Sequence, residues 1–263
     1  MEYFEVLDER VREQFRLDTN CSRECEETYA VCINESKNVE GSRRVEGLSD
    51  FFKAIIYKDY AYIMADKQIL EWTREKYQKY KMEWFCKFEN LRALDKKLFE
   101  YNHRIYNTHI YYLPDPDAPE FEFDLEGITD EDNSLEVILM DESAINKLVK
   151  SDGFDRNSFI HALPGSKTQP DVIAAALKFN GKIVAIAGAS KDSEDFRQIG
   201  VDVLPDFQGA GLGVYLVTML KNQIIENGQI PYYGTSESHS ISRLLAVRSG
   251  FVPAWCEVFS KEI

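Results

Sequence analysis

At 263 residues, with 44% apolar and 13% aromatic side chains, the chain has material for one large domain or two small ones with buried cores. Its formal charge of −14 argues against a nucleic-acid surface, which needs a basic face, and no apolar run approaches the length of a membrane span. The opening MEYFEVLDERVREQ lacks the basic-then-apolar order of a signal peptide, so a cytoplasmic location without nucleic-acid or membrane partners is expected.

Residues 8–33 carry apolar positions at helical spacing between charges, and ESKNVEGSRR (35–44) is a polar break. FKAIIYKDYAYIMAD (52–66) predicts two short strands turning at Lys58-Asp59. ILEWTREKYQKY (69–80) and the stretch 84–105 predict amphipathic helices; in the second, Phe88, Leu91, Leu94, Leu98 and Tyr101 recur at three- and four-residue steps. HIYYL (109–113) predicts a strand. LPDPDAPE (113–120), with three prolines and three acids, marks the boundary between a helix-rich α/β portion, 1–115, and a second domain, 120–263.

Between Ile105 and Asn146 there is no Lys or Arg, while Asp115, Asp117, Glu120, Glu122, Asp124, Glu126, Asp130, Glu131, Asp132, Glu136, Asp141 and Glu142 all fall there. This is either a solvated acidic connector or an acidic rim that attracts a cationic amine. The five cysteines (Cys21, Cys25, Cys32, Cys86, Cys256) have no CxxC spacing and only four histidines accompany them, so idle thiols in a reducing compartment and no metal are expected.

Further on, DVIAAALKF (171–179) and KIVAIAGAS (182–190) flank Asn180-Gly181, which predicts a hairpin with a type I′ turn. FRQIGVDVL (196–204) alternates as a half-buried strand, with Pro205 ending it. A helix then carries Leu212, Tyr215, Leu216, Met219, Leu220 and Ile224 on one face, with Tyr215 expected in the core, and stops at Gly228. IPYYGT (230–235) predicts a strand parallel to the preceding one through a right-handed crossover. HSISRLLAVRSG (239–250) predicts a short helix closed by Gly250, and 251–259 a last strand. The order β-β-β-α-β-α-β gives an α/β fold with a mixed sheet.

The junction DFQGAGLG (206–213) places Gly209, Gly211 and Gly213 between a strand and a helix N-terminus, where free N–H groups and the helix dipole favour an anion. A P-loop needs Lys-Ser/Thr after its second glycine, and a dinucleotide fold needs G-x-G-x-x-G after its first strand; neither is present. What remains is a Q/R-x-x-G-x-G/A loop, Gln208-Gly209-Ala210-Gly211-Leu212-Gly213, or glycines that only permit tight helix–sheet packing.

The hairpin, then IGVDVLPDFQGAGLG, a helix, PYYGT and a helix ending RSGF resemble, in that order, the GNAT superfamily of N-acetyltransferases over roughly 165–263. The chain is also similar to a bacterial branch with a separate N-terminal α/β portion and an unassigned acceptor. The resemblance implies a GNAT-like acyl-CoA-binding fold and acetyl-CoA as cosubstrate, without a metal. The N–H groups of Gln208, Gly209, Ala210, Gly211, Leu212 and Gly213 are then expected to hold its pyrophosphate. Its pantetheine arm is expected to pair with backbone near Val201 and Val203, where this strand and 230–235 splay apart.

The family's last helix often begins with Asn, has Ala or Ser three residues on, and carries Tyr four before its closing Gly; here these are His239, Ser242 and Ala246. The tyrosine that often serves as general acid is therefore absent. His239 and Ser242 are expected to contact the CoA arm, with His239 also a proton-transfer candidate. Candidate bases are Asp202, Glu194, Asp195 and Glu237, and of Tyr232 and Tyr233, which must face opposite ways, one is a candidate donor.

The expected activity is transfer of the acetyl group of acetyl-CoA to a primary amine of a small molecule or peptide by direct attack on the thioester. Part of the acceptor pocket is expected from the N-terminal portion, whose other readings are a degenerate second copy, a lid or a dimer surface. A monomer or a homodimer fits equally. The alternatives are a non-catalytic acyl-CoA-binding regulatory module and an unrelated nucleotide-binding protein.

Overall fold

The computed structural model describes residues 2–44, 50–119 and 134–263. In chain order its elements are α1 (Glu2–Asp18), α2 (Arg23–Thr28), β1 (Val31–Glu35), β2 (Phe52–Tyr57), β3 (Tyr60–Ala65), α3 (Leu70–Tyr77), α4 (Phe88–Phe99), β4 (His103–Pro114), β5 (Leu135–Asp141), α5 (Glu142–Val149), β6 (Asp171–Phe179), β7 (Lys182–Lys191), β8 (Phe196–Val203), α6 (Leu212–Glu226), β9 (Ile230–Thr235), α7 (Ser240–Arg248) and β10 (Phe251–Glu262). The fold is mixed α/β, as expected. No helix among the described residues is long and apolar enough to cross a membrane.

The chain divides into two compact units. The first comprises Met1–Tyr111, Thr235–Ser238 and Pro253–Ile263; the second comprises Tyr112–Gly234 and His239–Val252. The proline-rich stretch thus lies just past the first crossing at Tyr111–Tyr112, and the chain's last strand returns to the first unit.

In the first unit the strand order is β1-β3-β2-β10-β4, with β1 parallel to β3 and the β2–β3 and β2–β10 pairs antiparallel. Lys58, at φ 51°, makes the expected turn between β2 and β3. Two sequence expectations change here. VCINE (31–35) is a strand with its three leading residues buried, not the end of a helix, because Val31 and Ile33 are needed in the core beneath α3. The helix expected over 84–105 ends at Phe99; Asn102, at φ 60°, breaks it, and His103–Ile105 open β4. Arg43 is buried between Asp18 and Glu257, donating to both, and Arg12 and Arg16 both reach the buried Glu26.

In the second unit the order is β9-β8-β7-β6-β5, antiparallel throughout except for the parallel β8–β9 pair. Asn180 (φ 49°) and Gly181 (φ 77°) supply the two positive-φ residues of the hairpin turn between β6 and β7. The core under α5 gathers Met140, Ile145, Phe159, Ala162, Leu163, Ala174, Ala176 and Ile186. Of the acidic stretch, residues 120–132 lie outside the described residues. Among its described members, Asp141 caps α5 by accepting from the Ala144 N–H at 2.8 Å, and Asp115 accepts from the Asp117 N–H at 3.0 Å.

Candidate active site

β8 is paired along its length with β7, but its parallel pairing with β9 stops at Ile199↔Tyr233. Among the described residues, the edge of β8 facing β9 has no strand partner from Gly200 to Val203, which is the splay expected between these strands. The chain then turns through Pro205–Phe207 and enters α6 at Leu212, three residues later than the first glycine suggests. Gly209 (φ 85°) and Gly211 (φ 81°) adopt the left-handed conformation that glycine takes without strain, and a Cβ at Gly209 would meet nothing within 4 Å. Gly211 caps the helix without a side-chain hydrogen bond. Among the described residues, no group accepts a hydrogen bond from any backbone N–H between Gly209 and Val214. The loop therefore presents bare donors at the positive end of a 15-residue helix.

Neighbouring side chains fix this loop. The Gln208 side-chain amide donates to the Val203 carbonyl at 3.0 Å and ties the loop to the strand end. Gly213 answers to packing: a Cβ there would lie 3.0 Å from Leu245 Cδ1, 3.4 Å from Val203 Cγ2 and 3.7 Å from Val201 Cγ2. The side chains of Val201 and Val203 thus face α6, and by strand alternation Asp202 faces the other side of the sheet.

There Asp202 meets a residue that the sequence reading passed over. Its Oδ2 accepts from the backbone N–H groups of His161 and Ala162, both at 2.8 Å, and its Oδ1 lies 2.8 Å from His161 Nδ1. A carboxylate only accepts, so Nδ1 carries a proton, and in the neutral form of the ring the lone pair is on Nε2. The Asp202 side chain is 14% exposed while that of His161 is 72% exposed, so the carboxylate is inside and the imidazole outside. Phe159, Ala162 and Leu163 are buried around His161 and hold its backbone down.

Two glycines make this contact possible. Gly188 on β7 and Gly200 on β8 face each other in the strand register. A Cβ at Gly188 would stand 2.0 Å from the Ala162 carbonyl oxygen, and one at Gly200 would stand 1.9 Å from that of His161. The pair leaves a furrow of bare main chain into which residues 161–162 settle.

The far end of the segment is held by Asp171, whose Oδ2 accepts from the Gly165 N–H at 3.0 Å, while Oδ1 is buried without a partner. Burial pushes the Asp171 carboxyl up to about 6, opposed by the Gly165 N–H and by Arg156 and aided by Asp192. A carboxyl whose pKa is raised by folding destabilises the folded state as pH climbs from the unfolded value of 3.8 through 6. Asp171→Asn is therefore expected to be more stable than wild type by roughly 2 kcal/mol near pH 8, after allowing for one unpartnered amide. That gain shrinks as pH falls through 6 toward 4, and chemical denaturation across this range measures it.

The other expected site residues are distributed as follows. Tyr233 is buried and its hydroxyl pairs with that of Ser242 at 3.0 Å; burial raises its pKa, and the nearby Asp202 charge adds to the rise. Tyr232, facing the other way, donates to Asp192 and, at 3.1 Å, to Gln198. His239 caps α7 through its carbonyl, which accepts from the Arg243 N–H at 3.0 Å, and its side chain is exposed. Ala246 is fully buried. Glu237 falls in the first unit, where it accepts from Thr108 at 3.2 Å. Glu194 pairs with Lys191 at 3.1 Å on the surface, and the Asp195 carbonyl accepts from the Ile230 N–H. Tyr215 is half-buried, and burial raises its pKa. The second unit thus holds Tyr233, Ser242, Val201, Val203 and the 208–213 loop, with Asp202 on the other face of the sheet from the two valines.

Residues 143–251, which span both the His161–Asp202 contact and the glycine loop, match the model of the acetyltransferase (GNAT) family. This stretch is a GNAT acetyltransferase domain. A GCN5-related N-acetyltransferase-like protein from Streptococcus suis is 15% identical over 96% of this chain and 99% of its own, with a TM-score of 0.45. An acetyltransferase of the GNAT family from Colwellia psychrerythraea is 12% identical over 60% of this chain, which spans 57% of that protein, with a TM-score of 0.41. The aminoglycoside N-acetyltransferase AAC(6')-Iy in complex with CoA is 16% identical over 48% of this chain and 93% of its own, with a TM-score of 0.36. No curated protein matches the chain. Within the GNAT domain, the loop, the open edge of β8 and the His161–Asp202 contact all belong to the second unit.

Proposed function

We propose that the chain is an N-acetyltransferase that moves the acetyl group of acetyl-CoA to a primary amine of a small molecule or peptide. The observation that carries this reading is the run of unpartnered N–H groups from Gly209 to Val214 at the end of a strand whose edge is open from Gly200 onward. Bare donors at a helix N-terminus suit a diphosphate, and an open strand edge suits the amide-bearing pantetheine arm, which pairs there as an added strand would. The N–H groups from Gly209 onward would hold the first, since the Gln208 N–H already donates to the Pro205 carbonyl at 3.2 Å, and the main chain at Val201 and Val203 the second, with His239 at the start of α7 a further contact. Acetyl-CoA supplies an activated acyl carbon. The chain's own work is to position the amine and take its proton.

His161 suits that task. Its Nε2 is the exposed basic atom of an imidazole whose other nitrogen is held by a carboxylate, and Asp202 orients the ring and stabilises it once protonated. Asp202 acts through His161 and not on the amine itself, because its own oxygens already accept three hydrogen bonds. Tyr233 and Ser242, bonded to each other, form wall. Residues 120–263 carry the chemistry, and residues 1–115 are an accessory portion, in a reducing cytoplasm where the cysteines stay free.

Calorimetry tests the reading. Wild type is expected to bind acetyl-CoA, and Gly209→Asp, whose side chain enters open space but sets a negative charge beside the bare donors, to bind at least about tenfold more weakly. Absence of binding by wild type at millimolar acetyl-CoA, or equal binding by the variant, would end it. Ala246, buried where the resemblance expects the acid tyrosine, favours a second reading: an acyl-CoA-binding module without turnover. Thiol release across a panel of primary amines separates the two.

A further inference from the structure

Cys21, Cys25 and Cys32 lie in the first unit, away from the GNAT domain in sequence, and no motif spacing links them. The structure nonetheless brings them to one point: their three sulfurs all lie within 4.8 Å of one another. Cys21 follows α1, Cys25 sits on α2 and Cys32 on β1. The Ser22 hydroxyl caps α2 by accepting from the Cys25 N–H at 3.1 Å, which turns the helix back so that Cys25 meets the two sulfurs beneath it. None of the three is in a disulfide.

We propose that Cys21, Cys25 and Cys32 form a three-thiolate site for a thiophilic d10 metal ion, Zn2+ in the first place, with solvent at the fourth position. Zinc–sulfur bonds of about 2.3 Å in tetrahedral geometry place bound sulfurs about 3.8 Å apart, so sulfurs that lie within 4.8 Å of one another need to close by about 1 Å at most. Three sulfurs and no histidine select a soft ion over Mg2+ or Ca2+. Cys32 is 1% exposed and Cys21 9%, whereas Cys25 is partly open, which gives the ion an entry and leaves room for water. The surroundings favour a cation. Glu26, next to Cys25 on α2, is a buried carboxylate held by Arg12, Arg16 and Tyr62 and is not itself a ligand. Asn34 Nδ2 is buried without a hydrogen-bond partner and bears on Cys21, ready to donate to a thiolate there. The ion displaces the thiol protons as it binds. The other thiol pair, Cys86 and Cys256 at 3.9 Å, offers only two ligands.

The test uses the full chain, reduced and stripped with a chelator, carrying Cys86→Ser and Cys256→Ser so that only the cluster reports. Titration with Cd2+ is expected to raise thiolate-to-metal charge-transfer absorption that saturates at one ion per chain. Zn2+ is expected to compete for the same site, release protons and raise the melting temperature. Cys25→Ser, at the most exposed of the three, should melt like its parent in chelator yet bind roughly 100-fold more weakly and show no melting shift with Zn2+. If Cys25→Ser does not fold, Cys25→Ala takes its place. Absence of the charge-transfer band, or a titration unchanged by loss of Cys25, overturns the proposal, as does recovery of the three cysteines with two joined as a disulfide after chelator treatment under reducing conditions.

Discussion

Replacing Gly200 by alanine is expected to destabilise the fold by about 3 kcal/mol and to remove most acetyl transfer, although residue 200 carries no side chain to lose. The added Cβ would stand 1.9 Å from the His161 carbonyl oxygen. That neighbour is main chain, flanked by the buried Ala162, and cannot swing aside as a side-chain tip can. The segment must lift by more than an ångström. As it lifts, three contacts stretch together: the two N–H groups on Asp202 Oδ2 and the imidazole on Oδ1. Gly188→Ala should behave alike, because its Cβ would stand 2.0 Å from the Ala162 carbonyl oxygen. Urea denaturation and an acetyl-CoA thiol-release assay on each variant measure the two losses. A Gly200→Ala protein as stable as wild type would show that the 161–162 segment does not rest in the furrow.

His161→Gln is expected to lower kcat/KM by about 10²-fold while leaving acetyl-CoA affinity within about twofold of wild type. Glutamine fills similar space but has no basic nitrogen, so what it removes is proton transfer and not the loop. The split between turnover and binding carries the distinction: at saturating acetyl-CoA the glutamine variant should turn over slowly while binding the cosubstrate as wild type does. Asp202→Asn should lose more, since the amide presents a donor to Nδ1 or to the two backbone N–H groups that Asp202 now holds. Its melting temperature should fall as well, which His161→Gln should not reproduce. An unchanged kcat/KM in His161→Gln would remove the imidazole from the chemistry and leave Asp202 as a latch alone.

What could be read in the sequence was local. Asn180-Gly181 announces its turn because two adjacent positive-φ residues have few other uses, and the hairpin follows. The glycines before Leu212 announce a bare helix start for the same kind of reason. The strand over 31–35 was hidden because VCINE is short and follows charged helical spacing, and only the core it joins shows its state. His161 was hidden more thoroughly. Its partner is 41 residues away, and no periodicity links a histidine in a polar stretch to an aspartate on a strand. Gly188 and Gly200 look like interruptions of two strands until the register sets them opposite each other. The three cysteines lack CxxC spacing, and nothing in the spacing itself shows that a short capped helix returns one of them to the others.

The half-paired state of β8 bears on how this domain can diverge. Its first half is locked to a neighbour, while its second half keeps an edge of peptide groups available, and every amino acid except proline offers the same groups there. Val201 and Val203 point toward the helix, so mutation at those positions acts on packing and leaves the lettering of that edge untouched. Recognition vested in amides is invisible to a comparison of side chains and is inherited with the fold.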